Sequence, residues 1–492
     1  MDNVRAHITT YGCQMNRLDA ELLAHALRRE GARVVANPVE ANVLLFLTCS
    51  VRAHAENRLF SNVGALKARK RREPDLLLGI LGCTAQQYGE RIRRRAPLAD
   101  LLCGPGRLAE VPDLIRQAQR GRPAVALDPP RSAVPARRLS RPAALGDMSR
   151  SAAAASADSD ARLDALELAR PLDGPSPQAA FVTVMRGCDN FCAYCVVPYV
   201  RGPERSRQPS AVLEEVRRLV GEGARQITFL GQAVNRYAGR EAGRRWDLAD
   251  LLAEAAETPS LARLFFITNH PSAMTDRLAD VFARVHAVCP YLHMPAQAGS
   301  DAVLRRMNRG YTAAEYEARV ARVREARPDV AVVSDFIVGF PGETEGDFEA
   351  TCGLVRRVRP AAGFVFKYSP RPGTAAERYP DDVPDTEKRR RHRRLLDLVQ
   401  ETATEENRAL LGRTVPVFVE GPSPHPHLNA STKGGEASSA SVQLRGRTPT
   451  GRIVVFDGPA GLAGEVVGVH ITRAAAITLF GRRAAAHNAP IP

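Results

Sequence analysis

The chain has 492 residues, 44% of them apolar and 25% charged, which excludes a largely disordered chain and, at about 100 to 200 residues per domain, asks for three compact units. Lys and Arg outnumber Asp and Glu by 69 to 54, giving a net charge of +15 and a pI near 9.8, so the surface favours polyanions such as nucleic acid or an anionic membrane. A GC-rich genome that prefers Arg to Lys is the competing explanation, so charge alone does not choose a partner. The first residues show no basic segment followed by an apolar core, and the longest aliphatic runs, at 43–47 and 76–81, are too short to span a bilayer, so a cytosolic protein is expected. Nine cysteines, an odd number in a reducing compartment, argue against a disulfide framework and for metal or cluster ligation.

Residues 4 to about 125 alternate strand and helix patterns: strands over 4–11, 43–47 and 75–81, with helices over 17–30 and 52–70 between them. That alternation predicts an α/β domain on a parallel sheet. From about 130 to 178 the pattern gives way to Pro, Ala, Ser and Asp with no sustained period, which reads as a flexible linker. Strand patterns recur at 181–184, 226–230, 264–268, 290–294, 330–336 and 363–367 with helical stretches between, and six such units suggest an open or partial barrel. Val212, Leu213, Val216, Leu219 and Val220 mark one face of its first helix, and Thr344 with Asp347 forms a capping-box start for another. A charged helix from about 384 to 411 leads into five short strand runs, at 415–420, 442–445, 453–457, 466–471 and 476–480, which fit a small oligonucleotide-binding type of barrel. The expected fold class is α/β: an N-terminal α/β domain with a parallel sheet at 1–130, a linker at 131–178, a partial (β/α)6 barrel at 179–408 and a small all-β barrel at 409–484.

The sharpest local signal is Arg186-Gly-Cys188-Asp-Asn-Phe-Cys192-Ala-Tyr194-Cys195, three cysteines spaced by three and then two residues just after the first barrel strand. Soft thiolates this close suit a cluster of iron and sulfide. Three ligands on a four-iron cluster leave one iron open to chelate a small molecule through amine and carboxylate, as reductive cleavage of S-adenosylmethionine (SAM) requires. A zinc knuckle is the competing reading, and it needs a fourth Cys or His that is not nearby. A second set, Cys13, Cys49 and Cys83, follows strand patterns in Tyr11-Gly-Cys13, Leu47-Thr-Cys49 and Leu81-Gly-Cys83. In a parallel sheet such C-terminal ends share one edge, so these thiols can converge on a second cluster, although three unrelated buried cysteines give the same spacing. Cys103, Cys289 and Cys352 have no motif partner and read as small buried thiols.

The spacing of Cys188, Cys192 and Cys195 resembles the signature of the radical SAM superfamily, whose members carry SAM inside a partial (β/α)6 barrel. Thr10-Tyr-Gly-Cys-Gln-Met-Asn16, Thr48-Cys-Ser-Val-Arg52 with Ala55-Glu56, Cys192-Ala-Tyr-Cys-Val-Val-Pro-Tyr-Val-Arg-Gly202, Leu230-Gly-Gln232 and Asp335-Phe-Ile-Val-Gly-Phe-Pro-Gly-Glu-Thr344 together resemble its methylthiotransferase family. The resemblance covers nearly the whole chain outside the linker. It implies two [4Fe-4S] clusters, one on Cys188, Cys192 and Cys195 that reduces SAM to give a 5′-deoxyadenosyl radical, and one on Cys13, Cys49 and Cys83 that holds the sulfur to be methylated and inserted. The implied reaction is methylthiolation of carbon 2 of N6-dimethylallyladenosine at position 37 of tRNA, with two SAM consumed and no catalytic side chain beyond the cluster ligands. A low-potential donor such as flavodoxin or ferredoxin, no membrane partner and a monomeric state are implied as well.

Contacts to SAM or substrate are implied at Tyr194, Gln232, Asn235, His293, Gln297, Asp335, Gly339 and Gly342, and Tyr237 lies in the same stretch as Asn235. By their residues alone, Gly339 and Gly342 read equally well as a Gly/Pro turn and His293 as a core histidine. The tail, with Gly446-Arg-Thr448 and Gly451-Arg-Ile-Val-Val-Phe456, resembles the RNA-binding TRAM domain, in which Arg445, Arg447, Arg452 and Arg473 would neutralise phosphates; a solvated face is the alternative for each. Lys388-Arg-Arg-Arg-His-Arg-Arg394 is the densest basic run, and charge leaves a solvated face and a phosphate contact both open.

Four features depart from the family pattern: the long linker, a Gly/Ser-rich loop at about 422–440, Ala233 where Asn is expected, and Asn269 where Ser is expected in Thr268-Asn-His-Pro271. Two relatives share both clusters, one acting on threonylcarbamoyladenosine in tRNA and one on an aspartate of a ribosomal protein. Gln-Met-Asn after Cys13 and Ser-Val-Arg after Cys49 favour the prenyladenosine branch. A non-catalytic iron-sulfur RNA-binding protein is the reading from another class, and it needs no open iron.

Overall fold

The computed structural model describes residues 1–50, 53–129, 150–172, 178–424 and 441–484. Val51 and Arg52 of the second cysteine motif, the expected linker at 131–149 and 173–177, and most of the Gly/Ser-rich loop at about 422–440 lie outside the described residues. The chain divides into two compact units that do not follow the linear order expected from the sequence. One comprises Met1–Pro171, Arg186–Arg205 and Ser369–Arg378, the other Leu172–Met185, Ser206–Tyr368 and Tyr379–Pro492. Both cysteine sets therefore belong to the first unit.

The first unit is built on a six-stranded parallel sheet in the order β2-β1-β3-β4-β5-β6, with β1 Arg5–Tyr11, β2 Arg33–Val34, β3 Val43–Thr48, β4 Leu77–Gly82, β5 Leu101–Cys103 and β6 Ala124–Ala126. Strands β3 and β4 are unbroken apolar runs because helices cover both faces of a parallel sheet, and every residue in them is buried. Register sets Tyr11 opposite Thr48 and Thr48 opposite Gly82, so three strand ends finish level. Helix α1 spans Gln14–Arg29; the helix expected over 52–70 is two, α2 Ala53–Ala65 and α3 Lys67–Arg72; α4 Cys83–Tyr88 and α5 Val111–Gln119 follow.

The expected linker needs correction, since Arg150–Ala169 forms a further helix, α6. Leu163 enters the core of the first unit beside Leu23 and Leu108, and Arg170 donates to Glu21 at 2.6 Å. Asp164 and Glu167 accept from Arg186 at 2.6 and 2.7 Å. A helix whose inward face mixes leucines with carboxylates shows little apolar stripe, which is why periodicity misses it.

In the second unit β7 Ala179–Thr183, β8 Gln226–Leu230 and β9 Arg263–Phe266 pair in parallel, as do β10 Tyr291–His293, β11 Ala331–Val338 and β12 Ala362–Lys367. A parallel bridge between Leu264 and Val288 links the two sets, and among the described residues no ladder returns from β12 to β7. The strands thus form the open, partial barrel that six β/α units suggest. Helix α7 Pro209–Gly221 buries the predicted apolar face, and α8 Glu345–Val358 begins with the Thr344–Asp347 capping box. Helix α9 Asp385–Arg408 leads into a closed barrel of β13 Thr414–Pro422, β14 Ser441–Arg447, β15 Ile453–Pro459, β16 Val466–Ala474 and β17 Thr478–Arg483. Val419, Leu444, Phe456 and Ile471 fill its interior. No helix of the described residues is long and apolar enough to cross a membrane.

Candidate active site

Each level strand end is followed by a cysteine. Cys13 takes the N-cap position of α1, and Gly12, at φ 142°, passes so close to the next strand end that a Cβ on it would stand 2.5 Å from Cys49 Cβ. Gly82, at φ 87°, turns β4 into α4, whose first residue is Cys83. A hydrogen bond with the Cys49 thiol is the main cause that brings the Cys13 thiol down to about 6, burial opposing it and Arg201 assisting. Cys13 Sγ also meets Asn16 Oδ1 at 3.1 Å. Burial pushes the Cys83 thiol up, and Arg201 Nε donates to Cys83 Sγ at 3.3 Å. The other arm of Arg201 donates to Asp19 at 2.6 Å. Cys13 and Cys49 thus meet, and Cys83 stands near enough on the shared sheet edge for the charge of Cys13 to bear on it.

Cys188, Cys192 and Cys195 lie on the 186–205 loop of the same unit. Gly187, at φ 75°, is packed so tightly that a Cβ would fall 1.8 Å from Pro203 O, and Cys188 N–H donates to Gly202 O at 3.1 Å, pinching the loop's two ends together. Cys195 N–H donates to Cys192 O at 2.9 Å, a tight turn with half-buried Tyr194 inside it. Burial pushes the Cys188 thiol up to about 12, with the neighbouring Cys192 adding to the rise, while Asn190 Nδ2 lies 3.3 Å from its Sγ. Helix α6 holds the loop at both ends, through Asp164 and Glu167 on Arg186 and through Asp160 on Arg205. Among the described residues no three Cys, His, Asp or Glu side chains are grouped to hold a single metal ion. A four-iron cluster asks for something else, one thiolate at each of three separate irons, and two sets of three soft donors fit that demand. Cys103, Cys289 and Cys352 are buried thiols whose pKa values burial raises, as expected for inert packing cysteines.

Four buried acceptors and hydroxyls of the barrel are satisfied by no protein group: Thr183 Oγ1 at the end of β7, Gln232 Oε1 and Asn269 Oδ1 just past the ends of β8 and β9, and Asp335 Oδ1 within β11. Unmet buried polar atoms near strand ends are candidates for ligand contacts. His293 accepts from Thr268 N–H at 3.1 Å through Nδ1 and holds Nε2 3.6 Å from Asp335 Oδ2. Thr268 and Gln297 both stand at φ 69°, a strained conformation for side chains other than Gly. Thr183 and Asn269 escape sequence reasoning, the former without any motif and the latter flagged only as a departure.

Other implied contacts are taken up by the protein. The Asn235 amide donates to His270 O at 2.9 Å and accepts from His270 N–H at 2.8 Å, and Tyr237 Oη donates to Arg207 O at 2.9 Å. Gly339 and Gly342 stand at φ 69° and 78°, where a side chain is strained, and a Cβ on Gly339 would also fall 2.3 Å from Lys388 Cγ.

Residues 5–104 match Uncharacterized protein family UPF0004, residues 182–355 the radical SAM superfamily and residues 408–483 the TRAM domain. A curated tRNA-2-methylthio-N(6)-dimethylallyladenosine synthase of Rhodopirellula baltica is 41% identical over 97% of this chain and 95% of its own. The synthase of Syntrophotalea carbinolica is 39% identical over 97% of this chain and 99% of its own, and that of Geobacter sulfurreducens 40% over 98% and 97%. The chain belongs to the tRNA-2-methylthio-N(6)-dimethylallyladenosine synthase family. A solved radical SAM methyltransferase, TsrM from Kitasatospora setae, is 15% identical and aligns over 76% of each chain at a TM-score of 0.49, too distant to add to that assignment. The cofactors are two [4Fe-4S] clusters and SAM.

In this synthase-family chain the arginines expected to meet RNA each have a partner within the protein. Arg445 and Arg447 each give Nε to Glu420, at 2.9 and 2.7 Å; Arg452 gives Nε to Asn407 and Nη1 to Thr450, at 2.8 and 2.7 Å; Arg473 lies 3.7 Å above the Phe480 ring. Arg413, Arg482 and Arg483 are exposed and form no ion pair among the described residues. The 388–394 run is neutralised by the protein itself, with Lys388 on Asp381, Arg391 on Glu343 and Glu387, and Arg394 on Glu349.

Proposed function

We propose that this protein transfers a methylthio group to carbon 2 of N6-dimethylallyladenosine at position 37 of tRNA, beside the anticodon. The observation that carries the reading is a pair of three-thiol sets on one compact unit, in a chain similar to curated synthases over its whole length. Cys188, Cys192 and Cys195 hold the cluster that reduces SAM, Cys13, Cys49 and Cys83 hold the cluster that carries the sulfur, and two SAM are consumed, one as methyl donor and one as radical source. Asp335, Gln232 and Asn269, whose buried acceptor oxygens lack donors, accept hydrogen bonds from the N–H and hydroxyl groups of SAM. The protein acts as a monomer in the cytosol, with reduced flavodoxin or ferredoxin as electron source. Mass spectrometry of nucleosides from bulk tRNA of cells with and without the gene tests this. Loss of the 2-methylthio nucleoside with accumulation of its prenylated precursor is expected; an untouched nucleoside overturns the substrate assignment.

A further inference from the structure

Arg201 belongs to the loop that carries Cys188, Cys192 and Cys195, yet its guanidinium is turned to the other cysteine set. Its side chain is 9% exposed and that of Asp19 8% exposed. Nη2 donates to Asp19 at 2.6 Å, Nε donates to Cys83 Sγ at 3.3 Å, and Val196 and Val200 of the same loop pack on Cys83. A guanidinium can serve two acceptors in fixed directions because its donors form a rigid planar fork. Asp19 fixes one edge of the fork, and the thiol takes the other. Around them stand Asn16 at Cys13 and the Arg186 pair with Asp164 and Glu167, already neutralised.

We propose that Arg201, braced by Asp19, is a positioning residue for the cluster on Cys13, Cys49 and Cys83: it orients the Cys83 thiolate and raises that cluster's reduction potential. The inference rests on the reading that these three thiols hold a cluster. Adding an electron increases the negative charge on a cluster and its thiolates, so a buried cation and an N–H bond to one sulfur favour the reduced form. Asp19 offsets part of that charge, so the two residues act on the potential with opposite signs. The loop bearing one cysteine set thereby sets the electronic poise of the other.

The test uses the full-length chain with Cys188, Cys192 and Cys195 replaced by Ala, reconstituted with iron and sulfide, so that one cluster is read alone. Iron per chain and the midpoint of a redox titration followed by electron paramagnetic resonance are measured. Arg201→Gln should lower the midpoint, Asp19→Asn should raise it, and Arg201→Lys, which keeps charge but loses the fork, should fall between Arg201→Gln and the parent. Midpoints that do not move, or that shift in the same direction for Arg201→Gln and Asp19→Asn, overturn the proposal, because lost packing has no reason to give opposite signs. If Arg201→Gln loses its iron, the Asp19→Asn midpoint decides alone: a rise upholds the proposal and any other result overturns it. A triple variant without iron overturns the cluster assignment and this proposal together, whereas iron with an unmoved midpoint overturns this proposal only.

Discussion

Cys49 stands between the other two strand ends, 1% exposed and in contact with the Cys13 thiol. On the proposed reading, removing its sulfur takes a ligand from the strand-end cluster and leaves the 186–205 loop intact. Cys49→Ala is therefore expected to keep dithionite-driven formation of 5′-deoxyadenosine and to lose methylthiolated nucleoside; product at the parental rate would move the sulfur-bearing cluster elsewhere. His270 gives a second prediction. Burial first, and then Arg309, Arg236 and Arg319, bring its pKa down to about 2, so the folded chain keeps it neutral where an unfolded chain, with an ordinary value near 6.5, takes up a proton. Its contribution is complete above about 6.5 and is lost as pH falls towards 2, by up to about 1.4 kcal/mol per pH unit. His270→Asn, which retains an acceptor for Ser272 N–H, should show a flatter loss of urea midpoint between pH 7 and 5 than the parent, and equal slopes would refute the assignment. Cysteine spacing is readable in sequence because ligands recur at close spacing or at strand ends. The partner of a polar side chain is not, because it depends on which backbone folding brings near: Asn235 is spent on His270, and Arg445 on Glu420.

At the scale of elements, the long strands are legible because burial on both faces leaves a continuous apolar run, as in β3, and the α8 start is legible because Thr344 and Asp347 satisfy each other's backbone N–H groups. Strands of two or three residues, β2, β5 and β6, carry too few positions to show any period. Helix α6 hides for another reason. Its signal is the spacing of Asp160, Asp164 and Glu167 on one face, which means nothing until Arg186 and Arg205 are known to lie opposite. Helix α9 shows the same coupling in its basic run. Arg391 is 6% exposed and Glu343 fully buried; the carboxylate accepts from Arg391 at 2.9 Å and from Gly339 N–H at 2.5 Å. Arg391→Leu strands a buried carboxylate and is expected to cost about 3 to 5 kcal/mol of stability. Adding Glu343→Gln should recover much of that in a denaturant titration, since the buried charge is gone. A double variant no more stable than Arg391→Leu would show that packing of the guanidinium, and not its charge, is what Glu343 needs.

Across the whole molecule the net charge of +15 is legible in composition, but its location is not. Much of the Arg content is consumed in pairs, and the densest run is among the most fully paired. A surface for a polyanion is made instead by cations left over after internal pairing. In the tail barrel those are Arg413, Arg482 and Arg483, and the strand register sets exposed His470 opposite both Thr414 and Arg482, so these exposed cations cluster where β13, β16 and β17 pair. Each phosphate contact releases condensed counterions and adds about 0.7 to 0.9 to the slope of log affinity against log salt. Arg482→Ala with Arg483→Ala should thus lower the tRNA-binding slope by about 1.5, the sum of two contacts, with little change in thermal stability because neither side chain holds a buried partner. Arg445→Ala with Arg447→Ala should do the reverse, keeping the slope and weakening the barrel by leaving Glu420 unpaired. Filter binding of prenylated tRNA across a salt series separates them: a slope that falls only for the second pair would return the phosphate contacts to β14, and a slope that falls for neither would take them off this barrel.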